Sequence, residues 1–548
     1  MTTRVDAHIS NTLNAKRIRL STLRATGLVL WSVLVIVQWL SWSGKQDYIT
    51  TFLAIAGGII GTVCFLRQNL LAAYPISASM MLGYVSYYFL LPPLATVLEG
   101  KPLTYNLDHP ELVLFHALVS LLLLICAHTF YRNWHPLKGL RWFISRKIYQ
   151  PFGFFRPPTN LHLLVMGSIG LMAMGVEVFI VGVYQGEAVG IINKLMQGLY
   201  PLAYLPYVIM VRKLIDQDSG FDRKWLLILF GYTILIAIVS LGRNSRAALY
   251  MGFASIILAY FYGLVIGFYK VNLGRLLVTL LVVIATSGPI TDLAISIVVI
   301  RGTRTDISAR DLVLETIKVF QDKKTLKLYR TYAAQIGSAW DEGYVENPFM
   351  ARLSNLKYAD NSINFALSMS GSTREYMREI EIQRIWANFP RPLIETLGLP
   401  VDKDFIGAGS SGDFMLYAVT GYTYVLGGYR TGSIFGNGYA LFGWLYPFVF
   451  ALLVLLIFPL ADALTSRTAI ARMNPSKGEW APTLSPMAII GFYSLFFYLT
   501  SAATGSESMS DLVSYLLRGW IQILFVYVLA YWIAYIPVKI IGRKHVSP

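Results

Sequence analysis

Residues 225–267 read WLLILFGYTILIAIVSLGRNSRAALYMGFASIILAYFYGLVIG: two apolar runs, 225–241 and 247–267, joined by a turn that carries Arg243 and Arg246. As a helix rising ~1.5 Å per residue, each run is long enough to cross a bilayer core of ~30 Å. Lipid offers no water to backbone N–H and C=O groups, so a lone crossing segment must pair them internally, as a helix does. The stretch is a helical membrane hairpin with a very short turn at one surface.

The same reading extends outward in both directions. Hydrophobic residues make up 55% of the 548 positions and charged residues 14%, far from the profile of a soluble globular chain. Twelve spans are predicted, near 25–43, 48–66, 72–98, 111–131, 161–184, 195–212, 225–241, 247–267, 276–299, 434–458, 485–504 and 513–537. The short alternating segments of a membrane β-barrel are absent. The expected fold is all-α: a polytopic integral membrane protein of about twelve transmembrane helices, with one large extracytoplasmic loop containing amphipathic helices. Cys64 and Cys126 both fall inside spans, so a disulfide framework is excluded for the loop.

The net charge of +16 does not point to nucleic acid, because the excess base gathers in the loops of one side. Loops facing the cytoplasm are enriched in Lys and Arg. Loop 132–160 carries Arg132, Lys138, Arg141, Arg146, Lys147 and Arg156 without an acid. Arg212, Lys213, Arg223, Lys224, Arg467, Arg472 and Lys477 fall on the same side. The opposite short loops hold Asp47, Glu99, Asp108, Glu187 and Glu507. This divides the chain into a cytoplasmic basic N-terminal tail (1–24), spans one to nine (25–300), a large periplasmic loop or lid (301–432), spans ten to twelve (433–538) and a cytoplasmic C-terminal tail (539–548). Arg4, Lys16, Arg17, Arg19 and Arg24 precede the first span without a small-residue cleavage site, which reads as a tail and not a removable signal.

The large loop holds sixteen of the 46 Lys/Arg and fifteen of the 30 Asp/Glu, in a chain that is otherwise bilayer-grade. Ser308 followed by 309–320, with Leu312, Ile317 and Phe320 on one stripe, predicts an amphipathic helix. Ser372-Thr373-Arg374-Glu375 is a capping-box pattern, and Pro390 closes the helix it opens. On that helix Arg374 and Arg378 share a face, and Glu375–Arg378 and Arg378–Glu381 are spaced for ion pairs. Gly57 and Gly61 predict close helix packing, and Pro75, Pro92, Pro93, Pro201 and Pro206 predict kinks. His116, His128 and His162 read as packed or interfacial. No His, Cys or acid cluster has metal spacing, and no phosphate-loop or dinucleotide motif occurs, so no cofactor is expected.

Ionisable residues at membrane depth are functional candidates. Glu177 lies in the outer half of span five and Asp292 in the outer half of span nine. Arg243 and Arg246 sit on the side that Lys and Arg avoid. They either neutralise Glu177 and Asp292, or form an anion site, since guanidinium grips phosphate oxygens bidentately. Arg301 and Arg304 open the loop at the same surface. Arg374 and Arg378 are either a solvated face or a further basic edge.

Two stretches carry a family resemblance. Arg243-Asn244-Ser245-Arg246-Ala247-Ala248-Leu249 resembles the basic turn of bacterial O-antigen polymerases and ligases. Gly432-Ser433-Ile434-Phe435-Gly436-Asn437-Gly438-Tyr439-Ala440-Leu441-Phe442-Gly443 resembles their small-residue and aromatic run after the large outer loop, with Asn437 where the family commonly has Glu. The resemblance implies a glycosyltransferase C-type-like fold and a metal-independent glycosyltransferase, the oligosaccharide repeat-unit polymerase. Such an enzyme moves a growing glycan from undecaprenyl pyrophosphate onto an incoming lipid-linked repeat unit, at the periplasmic face of the inner membrane. The implied partners are the undecaprenyl-pyrophosphate-linked oligosaccharide, the lipid bilayer and a chain-length regulator of the polysaccharide co-polymerase kind, without nucleic acid. Ligases of the group use a loop histidine; here none of the seven histidines lies in 301–432. Under this reading Arg243, Arg246, Arg301 and Arg304 hold pyrophosphate, with Arg374 and Arg378 as second choices. A base comes from Asp292, Glu177, Asp341 or Glu342. The alternatives are a ligase-like glycan transferase and a transporter or flippase of lipid-linked glycans.

Overall fold

The computed structural model describes residues 20–42, 48–181, 196–216, 222–269, 274, 288–300, 307–333, 340–474, 479–501 and 505–544. Among them nine helices are long and apolar enough to cross a membrane, so the chain is a nearly all-helical, multi-pass membrane protein. In chain order the elements used below begin with α1 (Arg24–Ser41), α2 (Tyr48–Phe65), α3 (Pro75–Leu98), α4 (Pro110–Asn133), α5 (Asn160–Ile180), α6 (Lys224–Gly242) and α7 (Arg246–Ile266). The large loop contributes α8 (Ala309–Gln321), α9 (Leu356–Ser368), α10 (Gly371–Trp386) and α11 (Ser411–Thr420). After it come α12 (Ile434–Phe442), α13 (Tyr446–Asp462), β1 (Thr465–Asn474) and β2 (Glu479–Leu484). The last is α14 (Met509–Lys539).

Three of the twelve predicted spans are not among those nine helices of the described residues. Over 195–212 the chain forms a 3-10 helix, Tyr200–Leu214, with Pro201 at its start and Pro206 inside. Two prolines remove the N–H groups that an α-ladder needs there. Over 485–504 it breaks into Pro486–Ile490 and Phe492–Phe496 around Gly491. The Ser255 hydroxyl of α7 fills the break: it donates to the Ile490 carbonyl at 2.7 Å and accepts from the Tyr493 N–H at 3.2 Å. The third, 276–299, is described only as the apolar helix Gly288–Val299. The nearly all-helical chain includes one short antiparallel pair between α13 and Pro486, β1 with β2, Thr465 opposite Leu484 and Ala471 opposite Ala481. Outside the helical bundle that segment satisfies its backbone by folding back on itself.

The helix starts expected in the loop hold with one shift. Ser308 caps α8, accepting from the Asp311 N–H. For α10 the cap is Ser370, two residues before the Ser372 of the sequence pattern, because its oxygen meets the Thr373 N–H. Gly57 and Gly61 let α2 lie on α3, where an added Cβ would stand 2.3 Å from Phe89 and 2.2 Å from Val85.

The prolines of α3 do more than kink it. Pro75 starts the helix. Pro92 and Pro93 lie just past a wide π-turn, Ser86–Leu90, in which the Leu91 N–H bonds back to the Ser86 carbonyl. Tyr87 thereby loses its normal partner, and Pro92 has no N–H to replace it. The freed Tyr87 carbonyl accepts the Asn355 N–H of the large loop at 3.2 Å. The Asn355 side-chain amide donates to the Tyr88 hydroxyl, and the Tyr87 hydroxyl donates to the Arg352 carbonyl. Tyr88 is ten residues from the C-terminal end of α3, ~15 Å along a helix axis. The loop therefore descends between the spans instead of resting above them.

Distant carboxylates cap two spans at opposite ends. Asp360 of α9 accepts from the Asp108 and His109 N–H groups at 2.9 and 2.8 Å, at the start of α4. Asp462, at the end of α13, accepts from the Ile76 and Ser77 N–H groups at 3.0 and 3.1 Å, at the start of α3. A helix N-terminus leaves such donors open and carries partial positive charge, so each bond both satisfies and neutralises.

Candidate functional site

Where the loop returns to the membrane, Thr431 and Gly432 present consecutive N–H groups to two carboxylates from different parts of the chain. Thr431 donates to Glu342 Oε1 at 2.7 Å, and Gly432 donates to Glu507 Oε2 at 3.1 Å. Glu342 belongs to the large loop, whereas Glu507 precedes α14. Only a residue without Cβ fits at position 432, since a Cβ there would meet Ser411 Cβ at 3.0 Å. The second oxygen of Glu342 lies 3.3 Å from Arg352 Nη2.

Arg352 also donates to the Tyr358 hydroxyl and stands over that ring at 5.5 Å. Burial drives the Tyr358 phenol above its ordinary range, and the charges acting on it are Arg352, Glu342, Arg246 and Glu507. One buried phenol thus faces two guanidiniums and two carboxylates. Glu507 is half-buried beside this cluster. Its carboxyl is pushed up to about 8, first by desolvation and then by the charge of Asp511; the Gly432 N–H and Arg384 oppose the rise, and Glu342 adds to it. A carboxyl with that affinity for protons can give or take one near neutral pH.

A supporting layer holds these groups. Asp511 caps α14 in a capping box with Ser508 and accepts from the Glu507 and Ser508 N–H groups at 2.9 and 3.0 Å. Arg384 of α10 reaches Asp511 at 3.4 Å and Ser510 Oγ at 3.2 Å. Glu381, one turn earlier, accepts from Asn437 Nδ2 at 3.0 Å and from the Ser510 N–H at 3.3 Å, while Asn437 Oδ1 accepts from the Met509 N–H at 3.0 Å. Asn437 thus joins α12 to α14, and the carboxylate beside it comes from α10.

The predicted site residues divide among several places. The charge of Arg246 reaches the Tyr358 phenol, after those of Arg352 and Glu342. Arg243 turns away, 4.2 Å over the Tyr200 ring, with Glu177 as its charge partner; burial lowers its proton affinity and Glu177 restores part of it. Glu177 is buried and accepts from Gln197 Nε2 at 2.8 Å. Asp292 pairs with Lys323 at 2.6 Å. Arg374 and Arg378 do share a face, directed at the far end of α12: Arg374 lies over Tyr439 at 5.6 Å and Arg378 donates to the Leu441 carbonyl at 3.0 Å. Of the two ion pairs expected on α10, Glu375–Arg378 forms at 2.6 Å, whereas Glu381 serves Asn437 and Arg384 instead of Arg378. Arg301 and Arg304 lie outside the described residues. Asp341 and Glu342 separate: Asp341 closes a local turn onto the Gly343 N–H and Asn106, and of the two Glu342 accepts the Thr431 N–H.

Sequence reasoning did not find Arg352, Tyr358, Arg384 or Glu381 as site residues, and took Glu507 only as an outer-loop acid. Glu507 and Glu342 are 165 positions apart in sequence, and no local spacing links them. The one available signal was two acids on the outer side within reach of a Gly-rich return. No family model matches the chain, and neither a curated protein nor a solved structure shows a similarity to it that carries an argument.

Proposed function

We propose that this protein is a lipid-linked oligosaccharide polymerase, transferring a glycan from undecaprenyl pyrophosphate onto an incoming lipid-linked repeat unit at the outer face of the bacterial inner membrane. The observation that supports this reading best is the meeting of Glu342 and Glu507 at the neighbouring Thr431 and Gly432 N–H groups. It sets a proton-exchanging carboxyl, Glu507, and its neighbour Glu342 near the Arg352 guanidinium, 3.3 Å from Glu342, with the charge of Arg246 acting on the same cluster through Tyr358.

Each chemical demand of the reaction has a candidate there. An acceptor sugar hydroxyl attacks the anomeric carbon of the donor's first sugar. The bond from that carbon to the pyrophosphate oxygen breaks, and the electron pair leaves with the pyrophosphate. Arg246 and Arg352 neutralise the growing charge on the leaving pyrophosphate. The hydroxyl proton passes to the Glu507 carboxylate, with Glu342 held by the Thr431 N–H as its electrostatic partner. The lipid pyrophosphate is already activated, so no nucleotide is needed outside the cell. The loop lacks histidine, which favours polymerase over the ligase-like alternative.

The test supplies purified protein with lipid-linked repeat units in nanodiscs and follows product length. A ladder of longer glycans is expected, lost in Arg246→Ala at normal expression. Repeat units that change leaflet without lengthening point to a transporter or flippase. In cells deleted for the gene, single-repeat products are expected, whereas accumulated lipid-linked polymer indicates a ligase.

A further inference from the structure

The turn between α6 and α7 contains a concentration of unmet polar groups. Asn244 is 1% exposed, and neither its Oδ1 nor its Nδ2 has a hydrogen-bond partner. Ser240, one helical turn earlier, is fully buried, and its hydroxyl is also without a partner. The same holds for the hydroxyl of Tyr200, whose ring lies under Arg243. The backbone here is well satisfied: Asn244 N–H meets the Leu241 carbonyl at 2.9 Å and Ser245 N–H meets the Ser240 carbonyl at 3.0 Å. So the deficit is confined to side chains. Each buried, unmet amide or hydroxyl costs ~1–3 kcal/mol, and native proteins keep few of them. Several in one turn call for a reason.

The surroundings suggest what satisfies them. Asn244 holds a left-handed φ of 50°, which places its side chain inside the turn directly before Ser245, the cap of the 21-residue α7. Gly242 lets the turn close onto α5, where an added Cβ would meet Phe179 at 2.7 Å. Arg243 and Arg246 flank the amide and are both partly exposed. A carboxamide both donates and accepts, as do two hydroxyls. Arg243 already faces Glu177, so a ligand that fits is anionic at Arg246 and rich in hydroxyl or amide groups just beyond it. A glycosyl pyrophosphate has that layout.

We propose that the Ser240–Arg246 turn seats the sugar adjoining the pyrophosphate, with the Asn244 carboxamide as its hydrogen-bonding reader and Ser240 in support. The assignment rests on the lipid-linked-glycan reading above for the class of ligand, but not on the reaction performed.

The decisive variant is Asn244→Gly, because glycine adopts the left-handed conformation freely and removes both orphaned atoms. Binding is measured by native mass spectrometry in phosphatidylcholine nanodiscs, with two probes: undecaprenyl pyrophosphate, and the same lipid bearing one N-acetylhexosamine. The wild type is expected to prefer the sugar-bearing lipid. The variant is expected to lose that preference by about tenfold, the worth of one or two hydrogen bonds, while holding the bare pyrophosphate lipid as before. Its ligand-free melting temperature is expected to stay level or rise. A lowered melting temperature with unchanged preference would make Asn244 structural and overturn the proposal. Equal loss for both probes would move Asn244 to the pyrophosphate and overturn the sugar assignment, and failure of the wild type to bind either probe would also overturn it. If the sugar preference depends on Asn244 but no ladder of longer glycans forms, the polymerase reading fails and this seat stands.

Discussion

Asp462 and Glu507 are both acids enclosed by protein, at opposite ends of the molecule, and they are treated in opposite ways. Asp462 is fully buried and receives the Ile76 and Ser77 N–H groups, the Ser77 hydroxyl at 2.7 Å and the Tyr131 hydroxyl at 3.1 Å, with Arg141 at 3.9 Å. Its donors come from α3, α4 and the connecting segment after α4, so it fastens three spans at one end. Glu507 receives a single N–H, from Gly432, and its charge is opposed by Asp511 and Glu342. A buried carboxylate surrounded by donors is a structural joint. One left short of donors and only half-buried is available for chemistry.

The comparison breaks if the two acids respond alike to substitution. Asp462→Ala is expected to have the largest effect on stability, ~3–5 kcal/mol, because it uncaps α3 and leaves Arg141 buried without its charge partner. Thermal unfolding in detergent and the yield of folded protein measure it. Glu507→Gln is expected to keep or raise the melting temperature while cutting chain extension by ~10²–10⁴-fold, the usual worth of proton transfer. A melting loss as large as that of Asp462→Ala would assign Glu507 to the scaffold.

The pH dependence sharpens the same contrast. Free glutamate titrates near ~4.3, whereas Glu507 titrates at about 8 in the folded protein. Between those values the folded state binds the extra proton, so stability falls as pH rises through this window. Melting of the wild type relative to Glu507→Gln, measured from pH 5 to pH 9, is expected to decline accordingly. In the polymerisation assay the wild-type rate is expected to climb through pH 8, and the limb should vanish in Glu507→Gln.

Smaller effects grade the loop contacts. Asp360→Asn weakens the cap on α4 and loosens α9 from it, at a cost of ~0.5–2 kcal/mol, read by unfolding and by faster proteolysis of the loop. At the bottom of the range, Glu375→Ala removes a pair whose side chains are 62% and 47% exposed. It is expected to shift stability by less than ~1 kcal/mol.

Much of the scaffold was legible in the sequence because its cause is local. Twenty apolar residues in lipid have one good backbone solution, and Gly57, Gly61 and Ser308 act on neighbours within a turn or on the adjacent helix. Legibility ended where hydropathy and backbone pairing parted. The segments 195–212 and 485–504 are apolar enough to span, but prolines 201 and 206 and Gly491 interrupt them, and the repair by Ser255 comes from a different helix. The pairing of β1 with β2 carries no hydropathy signal at all. The candidate site was legible in part. Arg246 stands out as base on the wrong side of the membrane, and Glu342 as one acid of the loop, but the same rule could not tell Arg246 from Arg243.

By itself, the sequence determined that this chain is a helical membrane protein with a large, charged loop on one side, because burial in lipid and charge asymmetry act residue by residue. Tertiary structure alone decided that the loop sinks onto the opened turn of α3, and that Glu342 and Glu507 meet at neighbouring amides. It also decided that Arg243 and Arg246 face different partners. Proton affinity and hydrogen-bond supply depend on what surrounds a group in space, and residues 165 positions apart in sequence become neighbours only when the chain has folded.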